Sequence, residues 1–174
     1  GVSYSFAAIS VTNINFTGGT GNDSIVMTGT TSDETATLRV GKTTLAGSGF
    51  TATAEGVKNA AVHGGGGQDV ANLYDSAGDD QYEAWSDRVL LTGTQFVHEA
   101  RDFDHTNTHA SSGTDGATFH DGAGYDVLVN WSSRAVMYGT GYFNDARGFD
   151  TSTAYSVSGS DLAILYDSAG DDTY

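Results

Sequence analysis

A shift of 46 residues brings this sequence onto itself. Asp75-Ser76-Ala77-Gly78-Asp79-Asp80 returns as Asp121-Gly122-Ala123-Gly124-Tyr125-Asp126 and again as Asp167-Ser168-Ala169-Gly170-Asp171-Asp172. Gly-x-Asp keeps the same phase at Gly21/Asp23, Gly67/Asp69, Gly113/Asp115 and Gly159/Asp161. Apolar columns hold the register too: Met27, Leu73, Phe119 and Leu165; Tyr4, Phe50, Phe96 and Tyr142; Val11, Val57, Phe103 and Phe149; with Ala8, Ala54, Ala100 and Ala146 beside them. The copies run 1–46, 47–92, 93–138 and 139–174, the last incomplete, and form one repeat domain. Units this short bury their apolar columns by stacking on one another, so the repeat dictates the architecture.

The local pattern within a copy is β. Apolar and polar residues alternate over short runs, Gly and β-branched residues are frequent, and no helical period is sustained. Strands are expected at Ala71–Tyr74, Gln81–Ala84, Val89–Thr92, Phe96–Glu99 and His105–Thr108, separated by Gly/Asp/Ser turns. Similar units with short strands and in-phase apolar columns predict an all-β parallel β-solenoid, each 46-residue copy making two coils. A β-propeller is the alternative, since a four-stranded blade takes about 40 to 50 residues. Dense Gly-Asp turns and the lack of a Trp-Asp blade signature favour the solenoid.

Charge narrows the partners. Twenty-two acidic against 7 basic residues give a net charge of -15, which excludes a phosphate-binding surface built on clustered Lys and Arg. No nucleic acid is expected, and no apolar run is long enough for a membrane span. There is no Cys and no Pro, and Asp far outnumbers Glu. Short carboxylates in Gly-rich turns suit two roles alike: coordinating a hard cation, and closing turns by accepting backbone amide hydrogens. The Gly/Asp/Thr composition points to a secreted, cell-surface or extracellular location.

Gly18-Gly19-Thr20-Gly21-Asn22-Asp23-Ser24-Ile25-Val26 fits Gly-Gly-x-Gly-x-Asp-x-apolar-x, as does Gly64-Gly65-Gly66-Gly67-Gln68-Asp69-Val70-Ala71-Asn72. Asp121-Gly122-Ala123-Gly124-Tyr125-Asp126-Val127-Leu128-Val129 departs only at its first residue. This resembles the nonapeptide of RTX-type calcium-binding β-rolls of secreted bacterial surface proteins. In that family the nonapeptides run in tandem, whereas here the likeness covers roughly 20 residues of each 46. The resemblance implies Ca²⁺ as cofactor, with ligands drawn from Asp23, Asp69, Asp75, Asp79, Asp80, Asp115, Asp121, Asp126, Asp161, Asp167, Asp171 and Asp172. Stacked Asp columns would set like charges one or two coil spacings apart, a repulsion that cations offset.

Other residues also fall into columns. Lys42, Arg88 and Arg134 share one and Arg101 and Arg147 another, which predicts ion pairs between coils, with Asp102 and Asp104 near Arg101 and Asp145 and Asp150 near Arg147. Trp85 and Trp131 share a phase with Arg39, and Tyr74, His120 and Tyr166 form a column before the Asp-rich turn. Exposed, such aromatics could stack on a glycan; half-buried, they cap strands. The histidines occupy different phases, and no Ser or Cys sits in a nucleophile motif. Asp104, His105 and His109 break the repeat close together, but a solvent-facing polar strand accounts for them. Thr-x-Thr at Thr35/Thr37, Thr51/Thr53, Thr106/Thr108 and Thr151/Thr153 does not align into a hydroxyl array, because Thr151 shares a column with His105, Asn59 and Asn13.

The expectation is therefore a non-enzymatic structural or adhesive module of a secreted surface protein or extracellular filament, stiffened by calcium. Gly1 opens in the phase that follows about ten residues after Tyr174, which predicts head-to-tail self-association of open solenoid ends. The alternative is a calcium-binding, carbohydrate-associated β-helix module of a secreted polysaccharide-active enzyme.

Overall fold

The computed structural model describes residues 11–166 and is a β-solenoid. Two single strands open it, β1 (Asn13–Thr17) and β2 (Ser24–Thr28). A meander follows, β3 (Thr35–Arg39), β4 (Lys42–Gly47) and β5 (Phe50–Glu55), then two single strands, β6 (Asn59–His63) and β7 (Val70–Tyr74). The pattern repeats as the meander β8 (Gln81–Ala84), β9 (Arg88–Gly93) and β10 (Phe96–Arg101) with the single strands β11 (His105–His109) and β12 (Gly116–His120). After the short β13 (Ala123–Gly124), the third meander is β14 (Val127–Trp131), β15 (Arg134–Gly139) and β16 (Tyr142–Arg147). β17 (Thr151–Tyr155), the short β18 (Ser158–Gly159) and β19 (Leu162–Leu165) complete it.

These strands form a ten-stranded sheet, β1-β5-β4-β3-β7-β11-β16-β15-β14-β19, and a seven-stranded sheet, β17-β12-β8-β9-β10-β6-β2, with β13 and β18 paired separately. The chain changes sheet after every single strand and after every meander. A 46-residue copy, one meander and two single strands, thus crosses three times and makes one and a half coils, not the two expected. The physical reason is the pair of short hairpin loops in each meander, of two or three residues, which keep three strands in one sheet and count as a single pass. Successive copies are therefore turned over. The first and third meanders lie in the ten-stranded sheet and the second in the seven-stranded one.

Between passes the pairing is parallel. β3 meets β7 and β7 meets β11 with partners 35 residues apart (Thr35↔Val70, Val70↔His105), while β11 meets β16 at a step of 38 (His105↔Phe143). Within meanders it is antiparallel, as in Arg88↔Arg101 and Arg134↔Arg147. Alternate residues of each strand point inward, so Leu38, Leu45, Leu73, Tyr82, Leu91 and Phe119 fill the space between the sheets. Each such fully buried side chain contributes about 1.5–3 kcal/mol of hydrophobic stabilisation. The repeat's apolar columns do line the core, but from opposite walls: Leu73 enters from the ten-stranded sheet and Phe119 from the seven-stranded one.

Candidate metal centre

The turns between sheets carry the aspartates, and the 35-residue step sets what each carboxylate meets. Asp69 Oδ1 accepts the Glu34 amide (2.7 Å), Asp104 Oδ2 the Asp69 amide (2.8 Å), Asp115 Oδ1 the Asp80 amide (2.9 Å) and Asp150 Oδ2 the Asp115 amide (2.7 Å). Asp161 Oδ1 accepts the Asp126 amide at 3.1 Å. Asp79 and Asp75 reach across in the same way to the amides of Thr114 (2.8 Å) and Ser111 (2.7 Å), and Asp121 to that of Val157 (2.8 Å). Asp23 closes its own turn on the Gly19 amide at 2.9 Å. Many aspartates therefore pin one coil to the next, each satisfying an amide that the sheets leave unpaired.

Burial raises the carboxyls of Asp69 and Asp115 above their ordinary value, with neighbouring carboxylates adding to the effect. At Asp69 those neighbours are Glu34, Asp104 and Asp33; at Asp115 they are Asp75, Asp80 and Asp150. Asp161 is lowered, chiefly by the hydrogen bond from the Ser156 hydroxyl.

Among the described residues, two sets of three carboxylates converge far enough to hold a metal ion: Asp75, Asp80 and Asp115, and Asp121, Asp126 and Asp161, each with oxygens within 4.8 Å of one another. The sets are related by the 46-residue repeat and lie at opposite edges of the solenoid, as the half-turn between copies requires. One copy earlier the positions hold Gly29, Glu34 and Asp69, so a carboxylate is missing. Asp23, Asp69 and Asp79, all expected as ligands, fall outside both sets, while Asp167, Asp171 and Asp172 lie outside the described residues. Asp23 and Asp79 act as turn and coil pins instead.

Residues outside the expected ligands shape these sets and their counterpart one copy earlier. Glu34 turns back on Thr30, accepting from its amide (2.7 Å) and hydroxyl (2.6 Å). Asp80 does the same with Ser76, at 3.0 and 2.8 Å. Gly122 stands at that position one copy later, and there the Tyr142 hydroxyl donates to Asp126 Oδ1 at 2.6 Å. The repeat alignment pairs Thr30, Ser76 and Gly122, so the lost hydroxyl was visible, but its consequence depended on Tyr142, which reads as a core aromatic.

The cationic and aromatic columns form continuous stacks along each face. On one, Arg39 lies 3.4 Å from the Tyr74 ring, and Tyr74 stacks on His109. On the other, Arg88 covers Trp85 at 4.1 Å, Trp85 stacks on His120 at 5.0 Å, and His120 on Tyr155 at 5.4 Å. Trp131 is likewise set between Arg134 and Tyr166. Tyr74, Trp85, His120 and Trp131 therefore each have two stacking neighbours, whereas Tyr155 and Tyr166 have one each and are about half exposed.

The basic residues pair within meanders rather than between coils. Arg101 meets Glu99 two residues earlier on its own strand (2.6 Å), and Arg134 and Arg147 both clasp the buried Asp145, at 2.9 and 2.7 Å. Residues two apart on a strand share a face, which makes this pairing local. Burial works against the Asp145 anion, yet the two guanidinium groups more than offset it and hold its carboxyl below the usual range. Asp104, His105 and His109 do not converge: Asp104 holds the Asp69 amide, His105 packs on Phe143 and His109 on Tyr74. Comparison with known proteins finds no matching family model, curated protein or solved structure.

Proposed function

We propose that this chain is a non-enzymatic structural or adhesive module of a secreted surface protein or extracellular filament, stiffened by calcium and extended by end-to-end association. The observation that carries this reading is the closure of the repeat on itself: meanders and single strands follow in a fixed order, joined by registers of 35 and 38 residues, so further copies extend the same two sheets. Among the described residues, β1 and β19 end the larger sheet and β2 and β17 the smaller, each with one strand partner. Strand edges of this kind pair readily with another chain.

Further support comes from the side chains that could have done chemistry. The histidines and acids that break the repeat are engaged in separate stacking and coil-pinning contacts, an arrangement suited to rigidity. Oxygen-only carboxylate sets suit calcium, which accepts six to eight hard oxygens in flexible geometry. Sedimentation velocity with electron microscopy over a wide concentration range tests the assembly. Rods of variable length that grow with concentration are expected, and a single monomeric species throughout would overturn it.

A further inference from the structure

We infer that Asp121, Asp126 and Asp161 form a divalent-cation site, with Ca²⁺ as its ion, and that the repeat-related set Asp75, Asp80 and Asp115 does not. The two sets match in residue type and differ in how their oxygens are occupied. At the first, Ser76 donates both its amide and its hydroxyl to Asp80 Oδ2, so that oxygen is already held by two donors. The remaining Asp80 oxygen, Oδ1, has no partner, but it is turned toward Gly93 and the Phe96 ring. A tyrosine hydroxyl occupies the corresponding place one copy later.

At the second set the donors are rearranged. Tyr142 satisfies the oxygen of Asp126 that faces Gly139, and Gly122 offers no hydroxyl for the other. Asp126 Oδ2 and Asp121 Oδ2 are therefore both buried with no hydrogen-bond partner, on residues only 2% and 9% exposed. Two unpaired buried carboxylate oxygens beside a third carboxylate are costly without a positive charge between them.

Ser156 adds a hydroxyl beside Asp161 (2.7 Å), where the first set has Ala110. The set also opens onto a cleft of about 420 Å³ bordered by Leu128, Met137 and Leu162, which gives an ion a way in. With three carboxylates, a hydroxyl and no histidine or cysteine in the set, the site selects a hard cation. Its irregular, partly exposed form suits Ca²⁺ better than the strict octahedron of Mg²⁺.

The inference rests on the calcium part of the reading above and is independent of end-to-end assembly. The test is calorimetric Ca²⁺ titration of the chelator-stripped full chain, with Tb³⁺ luminescence excited through Tyr142 as a second readout. Gly122→Ser restores the donor of the preceding copies. Its Cβ would come within 3.3 Å of the Ser86 Cβ, a contact relieved by a small shift, so the fold should persist. It should weaken Ca²⁺ binding about tenfold or more.

Asp126→Asn should abolish binding at this site. The double substitution Ser76→Gly with Phe96→Tyr, which rebuilds the second arrangement at the first set, should add one bound ion. Three results would overturn the inference: no saturable Ca²⁺ binding by the natively folded chain up to about 10 mM, unchanged affinity in Gly122→Ser, or equal loss of binding from Asp80→Asn and Asp126→Asn. Sedimentation in chelator, run alongside, separates failure of this site from failure of the assembly reading.

Discussion

His98 lies wholly inside the solenoid with neither ring nitrogen hydrogen-bonded, and burial lowers its pKa to about 4. The folded protein therefore holds a neutral ring, whereas the unfolded chain takes up a proton near pH 6.5. As pH falls through 6.5 toward 4 the unfolded state binds more protons, so stability drops over that window and levels off below it. His98→Leu removes this dependence. Urea unfolding at pH 7.5 and 4.5 should show the natural chain losing about 2–3 kcal/mol more than the variant between the two. Parallel losses would show that the ring is protonated in the folded state.

The burial of His98 is legible in its neighbours. It alternates with Phe96 and Ala100, both members of apolar columns, which places it on the core face. Its own column, holding Ala52 and Asn144, carries no apolar signal, which is why the position does not stand out. Asn144 resolves the same position differently, accepting from Thr106 (2.8 Å) and donating to the Trp85 carbonyl (2.9 Å).

At the scale of the element, the meander is what alternation could not reveal, because strand period is two in parallel and antiparallel sheets alike. Val40-Gly41, Ser48-Gly49 and Thr140-Gly141 have the form of tight hairpin loops, but Ser86-Asp87 and Thr94-Gln95 fill the corresponding loops without glycine. The column Gly47, Gly93 and Gly139 was plain in the repeat, and its cause lies in packing. A Cβ on Gly93 would collide with the Asp80 carboxylate and the Phe96 ring, and one on Gly139 with the Asp126 carboxylate. Gly41 instead needs only its backbone conformation, φ 78°, and a Cβ there would meet nothing within 4 Å. Gly93→Ala should therefore cost about 2–3 kcal/mol through overpacking. Gly41→Asn, suited to the left-handed region, should cost under about 1 kcal/mol. Chemical denaturation of the two variants checks this, and equal costs would mean that the glycine column reflects backbone conformation alone.

The candidate site divides along the same line. Its three aspartates stand out in the sequence, but they meet through a 35-residue coil step that the 46-residue repeat conceals. The 46-residue shift measures when the pattern returns, and the coil step measures which residues touch. They differ because a copy is one and a half coils.

For the whole molecule, that half-integer sets what can be removed. Deleting residues 47–92 takes out one copy, exchanges the roles of the two sheets for everything that follows, and leaves the order of meanders and single strands intact. Stability in such an array is roughly a sum of units and their interfaces, so the shortened chain should be weaker by about one unit's share and still fold cooperatively. Deleting residues 47–69 removes half as many residues and is far more damaging. It joins β4 to β7, discards the last strand of a meander, and leaves β7 without the β6 crossing that delivers it to its sheet. Circular dichroism with thermal unfolding should therefore give a β spectrum and a sharp transition for the larger deletion and neither for the smaller. If both fold, the parallel registers rather than the alternating order of meanders and crossings define the solenoid; if neither does, the copies are coupled beyond their nearest neighbours.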